Sequence, residues 1–283
     1  MRDEMIDVGG FALRVRSEGE GPPMLFTGTG WGAGVDLYME RLGRLRDRFT
    51  VAWVDPRRTG SSGRPAADDD DDLDALVDDF DRVRSAFGWD AMWVGGHSMG
   101  GHLALRYLAR HPDRVLGVLG LCTYGDMDEQ YQAEMQARMQ ARAGEPWFDS
   151  VTEAFSRIID SDAELGRMIM DAGPMYFVDQ HELAAIRPEL AAVTWSADAL
   201  PYLGANPSMA VLDQISGMDT PAVLVAAEGD FICSPPLGRR IHQALPNSVF
   251  TEIPESGHFP WIEQPGRFWS TVESGLDTFL APN

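Results

Sequence analysis

Three residues have the types, order and local settings that acyl chemistry needs: Ser98, Asp230 and His258. Ser98 is the centre of Gly96-His97-Ser98-Met99-Gly100, a G-x-S-x-G run. An apolar stretch runs directly into it, and a helical stretch from Gly101 to Arg110 leaves it. So sharp a strand-to-helix turn brings backbones close, which calls for glycine, and strains the serine so that its hydroxyl stands above the sheet. Asp230 follows the apolar run Ala222 to Ala227, where a carboxylate can hold an imidazole in one orientation. Asp126, just after the run ending near Leu121, is the alternative acid. His258, in Ser256-Gly257-His258-Phe259-Pro260-Trp261, lies on a loop after the apolar run around Val249 to Ile253. Of the six histidines it alone follows both a strand and an acidic candidate. His102 and His111 fall on or after the helix behind the serine, His181 in a helical middle stretch and His242 on a late helix. His97 is read as pointing away from where the serine projects. A serine whose proton passes to an imidazole held by a carboxylate is a nucleophile for acyl transfer.

Such a nucleophile needs donors for the developing oxyanion. Met99 supplies one backbone N–H at the start of the helix. The loop Gly28-Thr29-Gly30-Trp31-Gly32-Ala33-Gly34 is expected to supply another, from Thr29 or Gly30. The same loop fits G-x-G-x-x-A with Asp55 ending the next strand, which imitates a dinucleotide fingerprint. Two features weigh against that reading. A strand, Phe11 to Val15, already precedes the loop, and Trp31 would crowd a pyrophosphate.

These residues need a scaffold of strand ends. Phe11, Leu13 and Val15 alternate with Arg14 and Arg16, as on a half-exposed strand. Met24–Thr27, Val51–Val54, Met92–Val94, Val115–Leu121 and Ala222–Ala227 are continuous apolar runs, suited to strands buried on both faces of a parallel sheet. Amphipathic helices are expected near 37–48, 73–87 and 99–110. The class is α/β: a mostly parallel sheet with helices on both faces. From 123 to 217 the pattern turns helical and rich in methionine and aromatics, so it reads as a cap, or lid, inserted into a core of 1–122 and 218–283. The acidic run Asp68 to Asp72 precedes an apolar helical stripe, where the helix dipole favours negative charge. Adjacent carboxylates of that kind do not converge on a metal.

The chain has 283 residues and a formal net charge of −21. That balance opposes nucleic acid and anionic membrane as partners, since both call for basic patches. All 23 basic residues are arginine, in keeping with a GC-rich bacterial genome or a salt-adapted acidic surface. Two cysteines, Cys122 and Cys233, are expected to be free thiols. With no apolar run long enough to span a membrane and no secretory signal at the N-terminus, a cytoplasmic location is expected.

At these residues the chain resembles the α/β-hydrolase superfamily, and within it the proline-iminopeptidase-like branch. The resemblance rests on Asp55-Pro56-Arg57-Arg58-Thr59-Gly60-Ser61-Ser62, the Gly-His-Ser-Met-Gly-Gly turn, and Ser256 to Pro265. It implies the α/β-hydrolase fold, with Ser98 as nucleophile, His258 as base and Asp230 as acid. The chain departs from the branch at Thr27 to Trp31, at Arg58, where the family has glycine, and at Met99, where iminopeptidases have tryptophan. These departures count against iminopeptidase activity, and the leading reading is a carboxylic ester or lactone hydrolase.

The Met- and aromatic-rich insertion suggests an apolar small-molecule substrate, with Trp31, Trp147, Tyr176 and Phe259 expected at the pocket. An aminopeptidase would need carboxylates such as Glu153, Glu164, Glu182 or Glu189 for the substrate ammonium. Other readings are a carbon–carbon bond hydrolase, an amidase, an acyl-releasing enzyme and a non-catalytic binding protein of the same fold. Epoxide hydrolase and dehalogenase readings want an aspartate where Ser98 stands. No metal or organic cofactor is called for, and a homodimer is compatible with the pattern.

Overall fold

The computed structural model describes residues 1–28, 30, 32–66, 72–200 and 209–280. Thr29, Trp31, Asp68 to Asp71 and Tyr202 lie outside the described residues.

Eight strands form one sheet: β1 (Arg2–Asp7), β2 (Ala12–Glu18), β3 (Pro23–Thr27), β4 (Thr50–Val54), β5 (Met92–His97), β6 (Val115–Leu121), β7 (Ala222–Ala227) and β8 (Ser248–Ile253). Their order is β1-β2-β4-β3-β5-β6-β7-β8. The first two pairings are antiparallel and all the others parallel. Each apolar run of the sequence became a strand because its successive side chains feed two cores. Met24, Phe26, Val51, Trp53 and Trp93 enter one; Leu25, Ala52, Val54, Met92 and Val94 enter the other.

The second core is closed by α2 (Leu73–Ala86), α3 (Met99–Arg110) and α9 (Pro235–Ala244). The first is closed by α1 (Asp36–Met39) and, after β8, α10 (Pro260–Glu263) and α11 (Pro265–Asp277). Between β6 and β7 stand α4 (Glu129–Gln140), α5 (Phe148–Phe155), α6 (Asp162–Tyr176), α7 (Gln180–Ala192) and α8 (Leu212–Ile215). Leu165, Met168, Ala172 and Met175 of α6 and Leu183 and Ile186 of α7 join the first core, so the insertion is packed onto the sheet's layers.

Three expectations needed correction. Strand β1 gave no apolar signal: RDEMID is almost wholly exposed. It forms because Gly9 and Gly10, both at positive φ near 100°, turn the chain back onto β2. A polar, exposed edge strand is also what keeps a sheet edge from pairing with other chains. The helix expected near 37–48 is broken into α1 and a 3₁₀ segment, Gly43–Asp47, since Gly43 weakens a continuous helix. Arg16, expected on an exposed face, is 6% exposed and pairs with Asp36. The last residue of the acidic run behaves as expected: Asp72 caps α2, accepting from Ala75 N at 2.7 Å.

Candidate active site

Ser98 stands between β5 and α3 with φ 56° and ψ −121°, a conformation that side-chain-bearing residues avoid. Close packing enforces it. A Cβ on Gly96 would lie 2.2 Å from Gly100 C, and one on Gly100 would lie 2.3 Å from Gly28 O. The turn therefore presses both on its own helix and on the loop after β3. Ser98 N donates to Leu121 O at 3.0 Å, and Thr123 Oγ1 donates to Ser98 O at 2.6 Å. Met99 is the first residue of α3, so its N–H has no acceptor within the helix. Gly30 lies against it; a Cβ there would be 2.7 Å from Met99 Sδ.

Asp230 sits at the end of β7, 1% exposed. Its Oδ1 accepts from Ile232 N and Cys233 N, each at 3.0 Å, and its Oδ2 lies 2.7 Å from His258 Nδ1. A carboxylate only accepts, so Nδ1 donates to it and Nε2 is the nitrogen turned away from Asp230. That Nε2 is buried and has no hydrogen-bond partner among the described residues. Ser98 Oγ is turned instead toward Cys233 Sγ, 3.9 Å away. Asp126, the alternative acid, is spent elsewhere: it accepts from Val211 N and Leu212 N and pairs with Arg240.

Reading the sequence missed three residues that hold this arrangement. His97 does not stand apart. Its ring centroid is 4.3 Å from that of His258, and its Nε2 donates to His258 O at 2.9 Å, while its Nδ1 accepts from Tyr38 Oη at 3.0 Å. Burial foremost, then the neighbouring His258, push its pKa well below the usual imidazole range, so it is a neutral prop. Glu263 accepts from Val178 N and Asp179 N with one oxygen and from Gly257 N with the other. It thus ties the His258 loop to the junction of α6 and α7. Burial raises its pKa, against those three backbone donors and Arg142. Arg142 donates to Met175 O at 2.8 Å and to Gly229 O at 2.7 Å, joining the same junction to the Asp230 loop. Glu263 had a signal, its place in the Ser256 to Pro265 run. Arg142 had none, because its three acceptors are backbone carbonyls that no side-chain pattern marks.

Beside His258 lies a small cavity of about 30 Å³, lined by Leu37, Ile169, Gly173, Tyr176, Phe177, Leu190, Trp195 and Phe259. Tyr176 and Phe259 are where an apolar pocket was expected. Trp147 is not among the lining residues; it precedes α5 and packs, half-buried, against the first core. None of Glu153, Glu164, Glu182 and Glu189 lines the cavity, and Glu189 instead pairs with Arg41. A space that size holds a water or two. Both cysteines are free and buried. No described helix is long and apolar enough to cross a membrane.

The family model of the alpha/beta hydrolase fold matches residues 23–158. The pimeloyl-(acyl-carrier protein) methyl ester esterase of Chromobacterium violaceum is 27% identical over 268 residues, covering 94% of this chain and 98% of the esterase. A proline iminopeptidase-related protein of Thermus thermophilus superposes with a TM-score of 0.75 at 23% identity, covering 99% of each chain. The enol-lactonase of Burkholderia xenovorans superposes with a TM-score of 0.73 at 20% identity, covering 97% of this chain and 100% of that one. At such identities the two structures speak for the fold alone. The family match spans the strand that enters the Ser98 turn and the helix that leaves it, within a mostly parallel eight-stranded sheet: the chain has the α/β-hydrolase fold and is a hydrolase.

Proposed function

We propose that the chain is a serine hydrolase of carboxylic esters or lactones of apolar small molecules, working through an acyl-enzyme on Ser98. The observation that carries this reading is the 2.7 Å contact between His258 Nδ1 and Asp230 Oδ2, which leaves Nε2 as a free base in a buried site beside a strained serine. Rotation of Ser98 away from Cys233 brings its hydroxyl to Nε2; resting hydrolases often hold that contact long. The Oγ–H proton passes to Nε2 as Oγ attacks the acyl carbon. The oxyanion is met by Met99 N and by the loop after β3, through Thr29 or Gly30. The imidazolium protonates the leaving alcohol, and water, deprotonated by the same imidazole, releases the acid and restores Ser98. None of these steps calls for a metal or organic cofactor.

The apolar lining of the cavity supports an apolar acyl or alcohol group, and the methyl ester esterase among the sequence relatives agrees with the reaction class. In this reading residues 123–217 are a cap over a core of 1–122 and 218–283, and the cap must open for substrate. The test is hydrolysis of p-nitrophenyl esters of increasing chain length beside proline and alanine arylamides. Ester turnover without arylamide turnover is expected, falling by about 10⁴-fold or more in Ser98→Ala. Preferential arylamide turnover, or ester turnover that survives in Ser98→Ala, would overturn the reading.

A further inference from the structure

Beside the nucleophile stands a thiol that the chemistry above does not use. Cys233 is fully buried, and its Sγ lies 3.9 Å from Ser98 Oγ. Its sulfur, a nitrogen of His258 and a carboxylate oxygen of Asp230 all lie within 4.8 Å of one another. His258 is 1% exposed, and its Nε2 has no hydrogen-bond partner among the described residues. A soft sulfur donor and an unengaged imidazole nitrogen therefore share one dry site.

We propose that this cluster is an inhibitory binding site for a thiophilic divalent cation, Zn²⁺ or Cd²⁺, held by Cys233 Sγ and the His258 imidazole. The donor set is that of a Zn²⁺ site, sulfur and imidazole, with Ser98 Oγ beside it as a further oxygen donor. Tetrahedral Zn²⁺ sets sulfur and nitrogen about 3.5 Å apart, so the Cys233 and His258 side chains turn toward one another to complete the pair. Asp230 acts from behind. Both its oxygens are already engaged, and by accepting from Nδ1 it orients the ring and makes it a better ligand. Charge balances: the dication meets one thiolate and one carboxylate, a neutral assembly that a buried site tolerates. On binding, the S–H bond breaks, its proton leaves to solvent, and metal–sulfur and metal–nitrogen bonds form without redox change. Without metal, burial keeps the thiol protonated and inert. With metal, the Nε2 lone pair is occupied and cannot take the Ser98 proton.

The chelator-stripped full chain is titrated with CdCl₂ and with ZnCl₂. Thiolate-to-Cd²⁺ charge-transfer absorption is expected in the wild type and in Cys122→Ser, and is expected to be lost in Cys233→Ala and Cys233→Ser. Ester hydrolysis is expected to fall in parallel and to recover with EDTA. The half-inhibitory concentration, referred to each variant's own metal-free rate, is expected to rise by about ten-fold or more in the Cys233 variants. The inhibition arm rests on the ester-hydrolase reading; the absorption arm does not. A chain that binds Cd²⁺ through Cys233 but hydrolyses no ester would sink that reading and keep the site. Absent charge-transfer absorption at saturating Cd²⁺, or absorption unchanged in both Cys233 variants, would overturn the site.

Discussion

The two walls of the cleft are held by different forces. On the sheet wall, Ser98, Asp230 and His258 are fixed by directional bonds and by glycines that allow no side chain: the Asp230–His258 contact, the His97 prop and the pressed turn at Gly96 and Gly100. The wall of inserted helices meets the cavity with Ile169, Leu190 and Trp195, apolar groups fixed by shape alone. Directional bonds tolerate little displacement, whereas packed apolar surfaces can shift and repack. In the proposed function the chemistry belongs to the first wall and the choice of substrate to the second. They join where Glu263 and Arg142 clamp the α6–α7 junction to the His258 and Asp230 loops, and His258 N itself donates to Tyr176 O at 2.8 Å.

The sharpest way to break this division is Asp230→Asn. It keeps the shape of the sheet wall but offers His258 the wrong partner, so kcat for ester hydrolysis should drop by about 10⁴-fold with KM little changed. Steady-state kinetics decide; a loss confined to KM would place Asp230 on the substrate side instead.

Acid should unsettle the fold through the helix behind the sheet wall. His102, fully buried and stacked 5.1 Å from Tyr124, has its pKa lowered to about 4, chiefly by burial. Its folded pKa is depressed, so the unfolded chain takes the proton first and stability falls as pH drops from about 6.5 to about 4. The loss is about 3 kcal/mol from this group. His97 acts in the same direction. Denaturant midpoints measured across that range should show a steep slope, flattened in His102→Gln. An equally steep slope in His102→Gln would overturn this account.

The smallest effect tests the helical wall. Leu190→Ala should open the cavity and raise kcat/KM for longer acyl chains over short ones by about ten-fold, the worth of a methylene or so of apolar fit. The acetyl ester's kcat should stay within a few-fold. A matching fall for every chain length would show that Leu190 supports the chemistry rather than the fit.

What was legible in the sequence was what local chemistry determines. Apolar runs with two-sided burial made β3 to β7, and the turn at Ser98 was readable because only glycine permits its close approaches. Asp230 and His258 were singled out by their positions after strands, and the structure brings them into contact. The polar edge strand β1 and the breaking of the helix at Gly43 left no such trace, because pairing partners and neighbouring residues decide them.

Length, composition and motif by themselves determined the α/β class, the sheet and the three residues offered for acyl chemistry, since each depends on residues adjacent in the chain or on one strand end. Only the tertiary structure decided that His97 props His258, that Glu263 and Arg142 clamp the two loops, that Trp147 misses the cavity and that Cys233 stands beside Ser98. The contacts of His97, Glu263 and Arg142 join residues up to 161 positions apart through backbone carbonyls and amides, groups that every residue carries and that only folding brings within reach.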